Sequence, residues 1–540
     1  MTKHFTSIDL FAGCGGLSLG LEKAGFKTVF VNELNSDAMD SFLINRRRNP
    51  YLKNEENRSY DLAEITQNPN TLEKLRKRLH KEFGDIGIVC GGPPCQGYSG
   101  IGHRSTFKDL NSKKEAIPTN HLYKEMAKFV GQLAPRAFLF ENVRGLLSAR
   151  KTATGEKGEF WDDIRGEFKA LKVKPPGKRQ NYSYVIQWKL LLAKDYGVPQ
   201  NRPRIIMIGI REDVYNGLPD AVQENTHDSF YPPKTNGAPD LIDVLGDLVD
   251  PHQGNSLGVT TKYPKEPDLR NAFQVELRRT NRKGRVAAKG DLLTEHLYSN
   301  HSPQVVRKYK KIHKSKQSLL GTQQEQLANE RCRRYIEYKE YKYKNKILKE
   351  RFVSDFYPLL DQTELEGIRK SQISSSAKKG TCYIRILNEV ERKISDAIEG
   401  DRLNKKSKIW KSLSEYDQAR IKHNLSKIEK KKAYQKKFSQ RLLPERWDKN
   451  GPNITITGGT EDLIHFSQPR TLTVREWARL QGFPDWYQFV GPRTTGGRRR
   501  AGDPDKGDWT RDLPKYTQIG NAVPVKLAYE IGKHLKDLIK

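Results

Sequence analysis

The chain has 540 residues, of which 35% are hydrophobic, 9% aromatic and 30% charged, enough apolar and aromatic content for a packed core and against global disorder. Ninety-seven Lys and Arg against 65 Asp and Glu give a net charge of +32, which points to a polyanionic partner, most simply nucleic acid. No apolar run reaches the ~18–20 residues needed to span a bilayer, and Asp9 and several glycines break the N-terminus, so no secretory signal is expected there. The five cysteines, Cys14, Cys90, Cys95, Cys332 and Cys382, are few, odd in number and without a C-x2-C pair. That argues against a disulfide framework and against a metal site, and for a reduced, cytoplasmic chain.

In chain order, short apolar runs alternate with helical periods over the first two hundred residues. Ser7–Phe11, Thr28–Val31, Ile86–Cys90, Ala137–Phe140, Tyr184–Leu191 and Ile205–Ile210 read as buried strands. Leu17–Ala24 and Leu122–Leu133 read as helices between them, the second with Leu122, Met126, Phe129 and Leu133 on one face. This alternation predicts an α/β fold, a Rossmann-like, mostly parallel sheet covered by helices. Residues 213–300 are rich in Pro, Gly, Asn and Asp. From 301 to 450 there are 38 Lys and Arg against 19 Asp and Glu, on helices with lysine-rich faces such as Val305–Lys316, Arg333–Lys349 and Ile421–Lys437. The α/β character returns after about 467. Thr473 and Glu476 have the spacing of a capping box, and Pro524 suits the first turn of a last helix that buries Leu527, Ile531 and Leu535. The expected organisation is a catalytic domain over 1–212, a large insertion over 213–466, and a C-terminal segment over 467–540 that completes the catalytic domain.

Five segments at the ends of the expected strands carry candidate chemistry. Asp9-Leu10-Phe11-Ala12-Gly13-Cys14-Gly15-Gly16 runs from a strand through glycines into a helix, where the backbone can turn tightly and approach a ligand. The next strand ends near Glu33, whose carboxylate can accept from ribose hydroxyls; together they favour a cofactor carrying adenosine. Gly91-Gly92-Pro93-Pro94-Cys95-Gln96-Gly97-Tyr98-Ser99 fixes the backbone before a single cysteine. Isolated cysteines are more often buried structural residues, but this rigid frame marks Cys95 as a candidate nucleophile, active as its thiolate. Phe140-Glu141-Asn142-Val143 places a carboxyl at another strand end, fit to exchange a proton if burial raises its pKa. Gln200-Asn201-Arg202-Pro203-Arg204 sets two arginines one residue apart, which an extended chain would point to the same side.

The ordered set resembles the DNA (cytosine-5)-methyltransferase family. DLFAGCGG is similar to its first motif, GGPPCQGYS to its catalytic motif, ENV to its acid motif and QNRPR to its Q-x-R-x-R motif, while RTLTVREWARLQGFPDW and QIGNAVP resemble its last two. The resemblance covers about 7–211 and 467–535. It implies a methyltransferase fold that uses S-adenosylmethionine, with the 213–466 insertion in the target-recognition position. It implies that Cys95 adds to C6 of a cytosine, that Glu141 binds N3 and the exocyclic amine, and that Arg204 binds O2 with Arg202 in support. It assigns Phe11, Gly13, Gly15, Gly16, Leu17, Glu33, Leu34, Asp61, Leu62, Pro94, Leu122, Asn521 and Ala522 to the cofactor pocket, so that the C-terminal segment folds back beside the first strand. Gln96–Asn120 takes the place of the loop that closes on the flipped base. Here Ile117-Pro118-Thr119-Asn120 departs from the family's acidic-Arg-Asn signature.

The expected partner is double-stranded DNA, with a cognate restriction endonuclease acting on the same sequence, and the expected location is cytoplasmic, on the nucleoid. A tRNA cytosine-5 methyltransferase of the same fold is the first rival, but its typical Cys-Phe-Thr signature is absent. A non-catalytic DNA-binding homologue is the second, but the cysteine, the acid and the cofactor glycines are all present.

Overall fold

The computed structural model describes residues 5–94, 121–150, 156–225, 227–235, 237–249, 262–299, 301–317, 441–447, 451–452, 454–456, 463–494 and 513–540. Seven strands, β1 (Thr6–Leu10), β2 (Lys27–Asn32), β3 (Arg58–Ser59), β4 (Ile88–Gly91), β5 (Ala137–Val143), β6 (Tyr184–Leu192) and β7 (Pro203–Arg211), form one sheet in the order β3-β2-β1-β4-β5-β7-β6. All neighbours are parallel except β7, which runs antiparallel to both β5 and β6. The six strands expected from the apolar runs are present, with ends that coincide or shift by up to three residues, the largest being β5, which runs on from Phe140 to Val143. The two-residue β3 carries no apolar run, so nothing in its sequence announces it.

Period-two alternation sorts the core into two faces. Ile8, Leu10, Val89, Phe138, Phe140, Ile205 and Met207 face the helices Pro69–Phe83, Leu122–Leu133 and Glu159–Lys169. Ile88, Cys90, Ala137, Leu139, Ile206, Ile208 and Ile210 face the helices Gly16–Lys23 and Val525–Leu538. The last helix follows Pro524 and buries Leu527, Ile531 and Leu535. It lies close on the first: a Cβ on Gly20 would stand 2.4 Å from that of Ala528. The C-terminal segment therefore does return to the first βα unit. The Thr473–Glu476 capping box forms with both reciprocal bonds.

The chain divides into two units, one of Met1–Ser302, Leu443–Thr460 and His465–Lys540, the other of Pro303–Leu442 and Glu461–Ile464. Residues 213–302 thus pack with the sheet's unit and not with the lysine-rich stretch. Val214, Phe230 and Tyr231 enter the core on one face of the sheet, and a buried ionic cluster makes a further tie. Asp247 accepts from Arg479 (Oδ1–Nη1 2.6 Å) and Arg278 (Oδ2–Nη1 3.1 Å), and Arg479 also binds Asp485 (Nε–Oδ1 2.9 Å). Within the second unit, the described elements are the helix Pro303–Gln317 and the parallel pair Arg441–Leu442 with Leu463–Ile464. The expected helices Arg333–Lys349 and Ile421–Lys437 lie outside the described residues.

Candidate active site

The sheet order reverses between β1 and β4, and ligands of open α/β sheets bind beyond the strand C-termini at such a point. Two glycine-containing segments flank it. After β1, Phe11 and Gly13 take left-handed conformations (φ 56° and 55°), as does Gly15 (φ 84°), the N-cap of the helix Gly16–Lys23. A non-glycine residue held at positive φ stores strain that the surroundings must hold in place. What holds this turn is Glu33: its Oε2 accepts from Gly13 N at 2.8 Å and its Oε1 from Asn35 N at 2.9 Å. Burial raises the Glu33 pKa even against these two donors. Gly15 and Gly16 serve close packing. A Cβ on Gly15 would stand 2.7 Å from Phe42 and 2.8 Å from Arg46, and one on Gly16 would stand 2.4 Å from Val523 O. Nothing lies within 4 Å of the position a Gly13 Cβ would take, so that side of the turn is open.

Around this turn the sequence-assigned cofactor residues fall into two groups. Leu34 is 63% exposed although apolar, and Tyr60, which no motif singled out, is 51% exposed one residue before Asp61. Asp61 caps the helix Leu62–Thr66, accepting from Ala63 N at 2.8 Å. An open glycine turn, a carboxylate and two exposed flat or apolar side chains fit a nucleoside. Leu17 and Leu62, by contrast, bury their side chains in the two cores, so these positions can offer a ligand only backbone. Asn521 is exposed at the end of the helix Lys515–Asn521, followed by half-buried Ala522. Pro94 and Leu122 are half-buried at the two borders of 95–120.

The second constellation lies across β4, β5 and β7. Arg204 stands opposite Val143, and Glu141 is two residues back on the same face, so the two side chains meet diagonally. Arg204 Nε lies 2.5 Å from Glu141 Oε1. Burial lowers the Arg204 pKa and the Glu141 carboxylate opposes that shift. Gly92, just past β4, makes room for the acid: a Cβ there would stand 2.8 Å from Glu141 Oε2. Asn142, on the other face, ties β5 to the Gly-Pro segment by donating to Pro93 O at 3.0 Å.

Arg202 does not join this pair. It precedes β7, and its guanidinium donates to Ile456 O (2.7 Å) and to Gly520 O. The side-by-side reading of the two arginines fails because the chain is not yet a strand at Arg202. Among the described residues Arg202 Nε and Asn201 Oδ1 are buried without a partner.

Cys95 lies outside the described residues. Cys14 and Cys90 are fully buried; burial pushes Cys14 up to about 12 and Cys90 well above its ordinary value, so neither is fit to act as a thiolate. No cluster of metal-binding side chains occurs among the described residues, and no helix among them is long and apolar enough to cross a membrane.

Asp9 is buried beneath the glycine turn, accepts from Ser18 Oγ, and is pushed by desolvation from 3.8 up to about 7. The folded state therefore keeps this proton to higher pH than the unfolded chain does. Its contribution to stability is complete below the unfolded value and is lost as pH rises through about 7. Asp9→Asn should remove that dependence. The difference in unfolding free energy, wild type minus variant, should fall with pH by up to about 1.4 kcal/mol per pH unit. Denaturant titrations of both proteins from pH 5 to 8 check it; parallel profiles would exclude an Asp9 that titrates in this window.

A mostly parallel seven-stranded sheet with one antiparallel strand beside its edge, bearing a glycine turn on β1 and polar strand ends on β5 and β7, defines a methyltransferase architecture. The model of the C-5 cytosine-specific DNA methylase family matches residues 5–537, and the chain belongs to that family of DNA cytosine methyltransferases. Type II methyltransferase M.DdeI of Desulfomicrobium norvegicum is 25% identical over 98% of this chain and 88% of its own length. Type II methyltransferase M1.HphI of Haemophilus parahaemolyticus is 33% identical over 38% of this chain, a match spanning 46% of that protein. Among solved structures, a prophage-encoded E. coli protein described as a DNA modification methyltransferase has a TM-score of 0.51 at 20% identity, covering 99% of both chains, a likeness of fold.

Proposed function

We propose that the protein transfers the methyl group of S-adenosylmethionine to C5 of a cytosine within a specific duplex DNA sequence, as the modification enzyme of a Type II restriction–modification system with a cognate endonuclease. The observation that carries this reading is the buried Glu141–Arg204 pair at the strand ends, fitted against Gly92 three residues before Cys95.

Cytosine C5 is a poor nucleophile, and a target base inside a duplex must first leave the stack, at about a few kcal/mol. The Cys95 thiolate adds to C6, forming the S–C6 bond and shifting the ring's electrons through C4 onto N3. Glu141 holds N3 and the exocyclic amine, and Arg204 holds O2, where charge develops. A buried cation and acid need no reorganisation at that moment. C5 is thereby an enamine carbon. When bound, the cofactor supplies a sulfonium-activated methyl group, the electrophile this carbon requires. A base then takes the C5 proton; the electrons of that bond re-form the C5=C6 double bond, the S–C6 bond breaks, and Cys95 leaves as its thiolate.

Glu33, Leu34 and Asp61 would hold the adenosine, with the Phe11–Gly16 turn, Pro94, Leu122 and the Asn521–Ala522 segment closing the rest. Residues 213–466 take target recognition, and the lysine-rich stretch adds phosphate contacts, which give affinity without sequence identity.

Bisulfite sequencing of DNA from cells expressing the protein tests the reaction and yields the motif. Wild type should methylate one motif, Cys332→Ser should match it, and Cys95→Ser should leave none. Wild-type methylation by Cys95→Ser would sink the covalent route. Glu33→Ala should weaken cofactor binding about 10–150-fold, since a charged hydrogen bond contributes about 1.5–3 kcal/mol. Calorimetry with S-adenosylhomocysteine, on a variant that keeps the wild-type melting transition, measures the loss.

A further inference from the structure

Two fully buried glutamines connect the segment that carries Asn521 and Ala522 with the turn that leads into Arg204. Gln481 lies within the family-like stretch Arg470–Trp486 and caps the C-terminus of the helix Val474–Leu480; its Nε2 donates to Ile519 O at 2.8 Å. Its Oε1 accepts from Gln200 Nε2 at 2.8 Å, and Gln200 also donates to Leu480 O at 2.9 Å. Gln200 Oε1 in turn accepts from Ile456 N at 3.1 Å. Arg202 closes the loop through Ile456 O and Gly520 O. The backbone repeats the pattern: Val525 N donates to Gln481 O (2.9 Å) and Asn201 N to Ile454 O (2.7 Å). Every link is buried among side chains, so a shift of 519–522 alone would strand amide groups that have no water to turn to.

We propose that Gln481 and Gln200 are positioning residues that make the 519–522 segment and the 200–204 turn one body, so that a cofactor bound against Asn521 and Ala522 sets the aim of Arg204 at the target base. This rests on the reading of the two sites given above. Neither glutamine touches a reacting atom. Their effect is transmitted by Arg202 and by the short path through Pro203 to Arg204. A glutamine serving stability alone would alter melting and leave the two ligands independent. A coupling residue ties one ligand's affinity to the other's presence, reciprocally.

The test uses the full chain, S-adenosylhomocysteine as an unreactive cofactor, and a duplex carrying the motif found by bisulfite sequencing. Duplex affinity is measured with and without saturating S-adenosylhomocysteine for wild type, Gln481→Met, and the double variant Gln200→Met with Gln481→Met. The double variant also removes the Gln200 bonds to Leu480 O and Ile456 N, so the side-chain link between the two segments is broken at both ends. Wild type should bind the duplex at least ~5-fold tighter with the cofactor product present. In both variants that factor should collapse toward one, with kcat falling more than the cofactor KM rises. A wild type without enhancement, or variants that retain it, overturns the proposal. A second measurement needs no variant: S-adenosylhomocysteine alone should slow amide hydrogen exchange in wild-type peptides covering 200–204 and 454–456. Unchanged exchange there overturns the coupling. A wild type that neither binds S-adenosylhomocysteine nor methylates DNA fails the functional reading instead, so the two failures are told apart.

Discussion

Gly92→Ala should lower kcat for methyl transfer by about 10²–10³-fold, the range for losing one preorganised charge-stabilising contact, while the fold stays intact. The added methyl would stand 2.8 Å from Glu141 Oε2 and 3.5 Å from Glu141 O. The carboxylate is the softer of the two and must yield. It is paired with Arg204 at 2.5 Å, so moving one partner misaims both. Cofactor affinity should be unchanged, because the glycine turn after β1 is a separate structure held by Glu33. Gly166→Ala is the control: nothing lies within 4 Å of its Cβ position, and it sits in the helix Glu159–Lys169. Alanine there should be neutral or slightly stabilising. Single-turnover transfer of labelled methyl at saturating cofactor separates the variants. A Gly92→Ala enzyme with wild-type kcat would remove the Glu141–Arg204 pair from the chemistry.

Asp247→Ala should cost about 3–5 kcal/mol of stability, the usual range for removing one partner of a buried ion pair. Asp247 is the only carboxylate hydrogen-bonded to Arg278 among the described residues. Without it, that guanidinium keeps as hydrogen-bond acceptors among the described residues just the carbonyls of Ala287 (2.9 Å) and Lys265 (3.0 Å), beside the Tyr263 ring 3.9 Å away. Arg479 would fare better, because Asp485 and Val244 O (2.7 Å) remain. Asp247→Asn keeps acceptor capacity and should cost less. Denaturant unfolding followed by tryptophan fluorescence reads the difference, Trp477 being buried in the helix that carries Arg479. Because Asp247 joins 240–299 to that helix, Asp247→Ala should also expose the 262–299 segment to protease before the sheet unfolds. Equal stability of Asp247→Ala and wild type would mean that the cluster does not hold the segment in place.

Most of the sheet was legible because its signals are local. A buried strand announces itself by an apolar run of four to eight residues, as at Ile205–Ile210. A helix start shows in the side chain that caps it, as at Thr473 and Glu476, whose reciprocal bonds form as their spacing requires. The helix Leu122–Leu133 matches its periodic face at both ends. The order of motifs along the chain, with their residue types, was enough for the family and for naming Glu141, Arg204 and Glu33 as residues worth finding.

The tertiary structure decided whatever depends on residues far apart in the chain. β3 exists because Val31 and Asn32 offer it an edge to pair with, not because Arg58 and Ser59 favour a strand. Arg202 and Arg204 are equivalent in a linear motif, yet one reaches Gly520 and the other Glu141, a split set by where β7 begins. Glu33 could be named as a ribose ligand from its position after a strand, but its hold on Gly13 depends on how β1 and β2 pair. Residues 213–302 have the composition of an insertion, yet they group with the sheet's unit, where Phe230 and Tyr231 enter the core and Asp247 meets Arg479 across 232 residues. Local propensity and spacing fix which elements form. Buried polar groups fix how they are joined, because each must find a partner inside the fold, and that partner can lie anywhere in the chain.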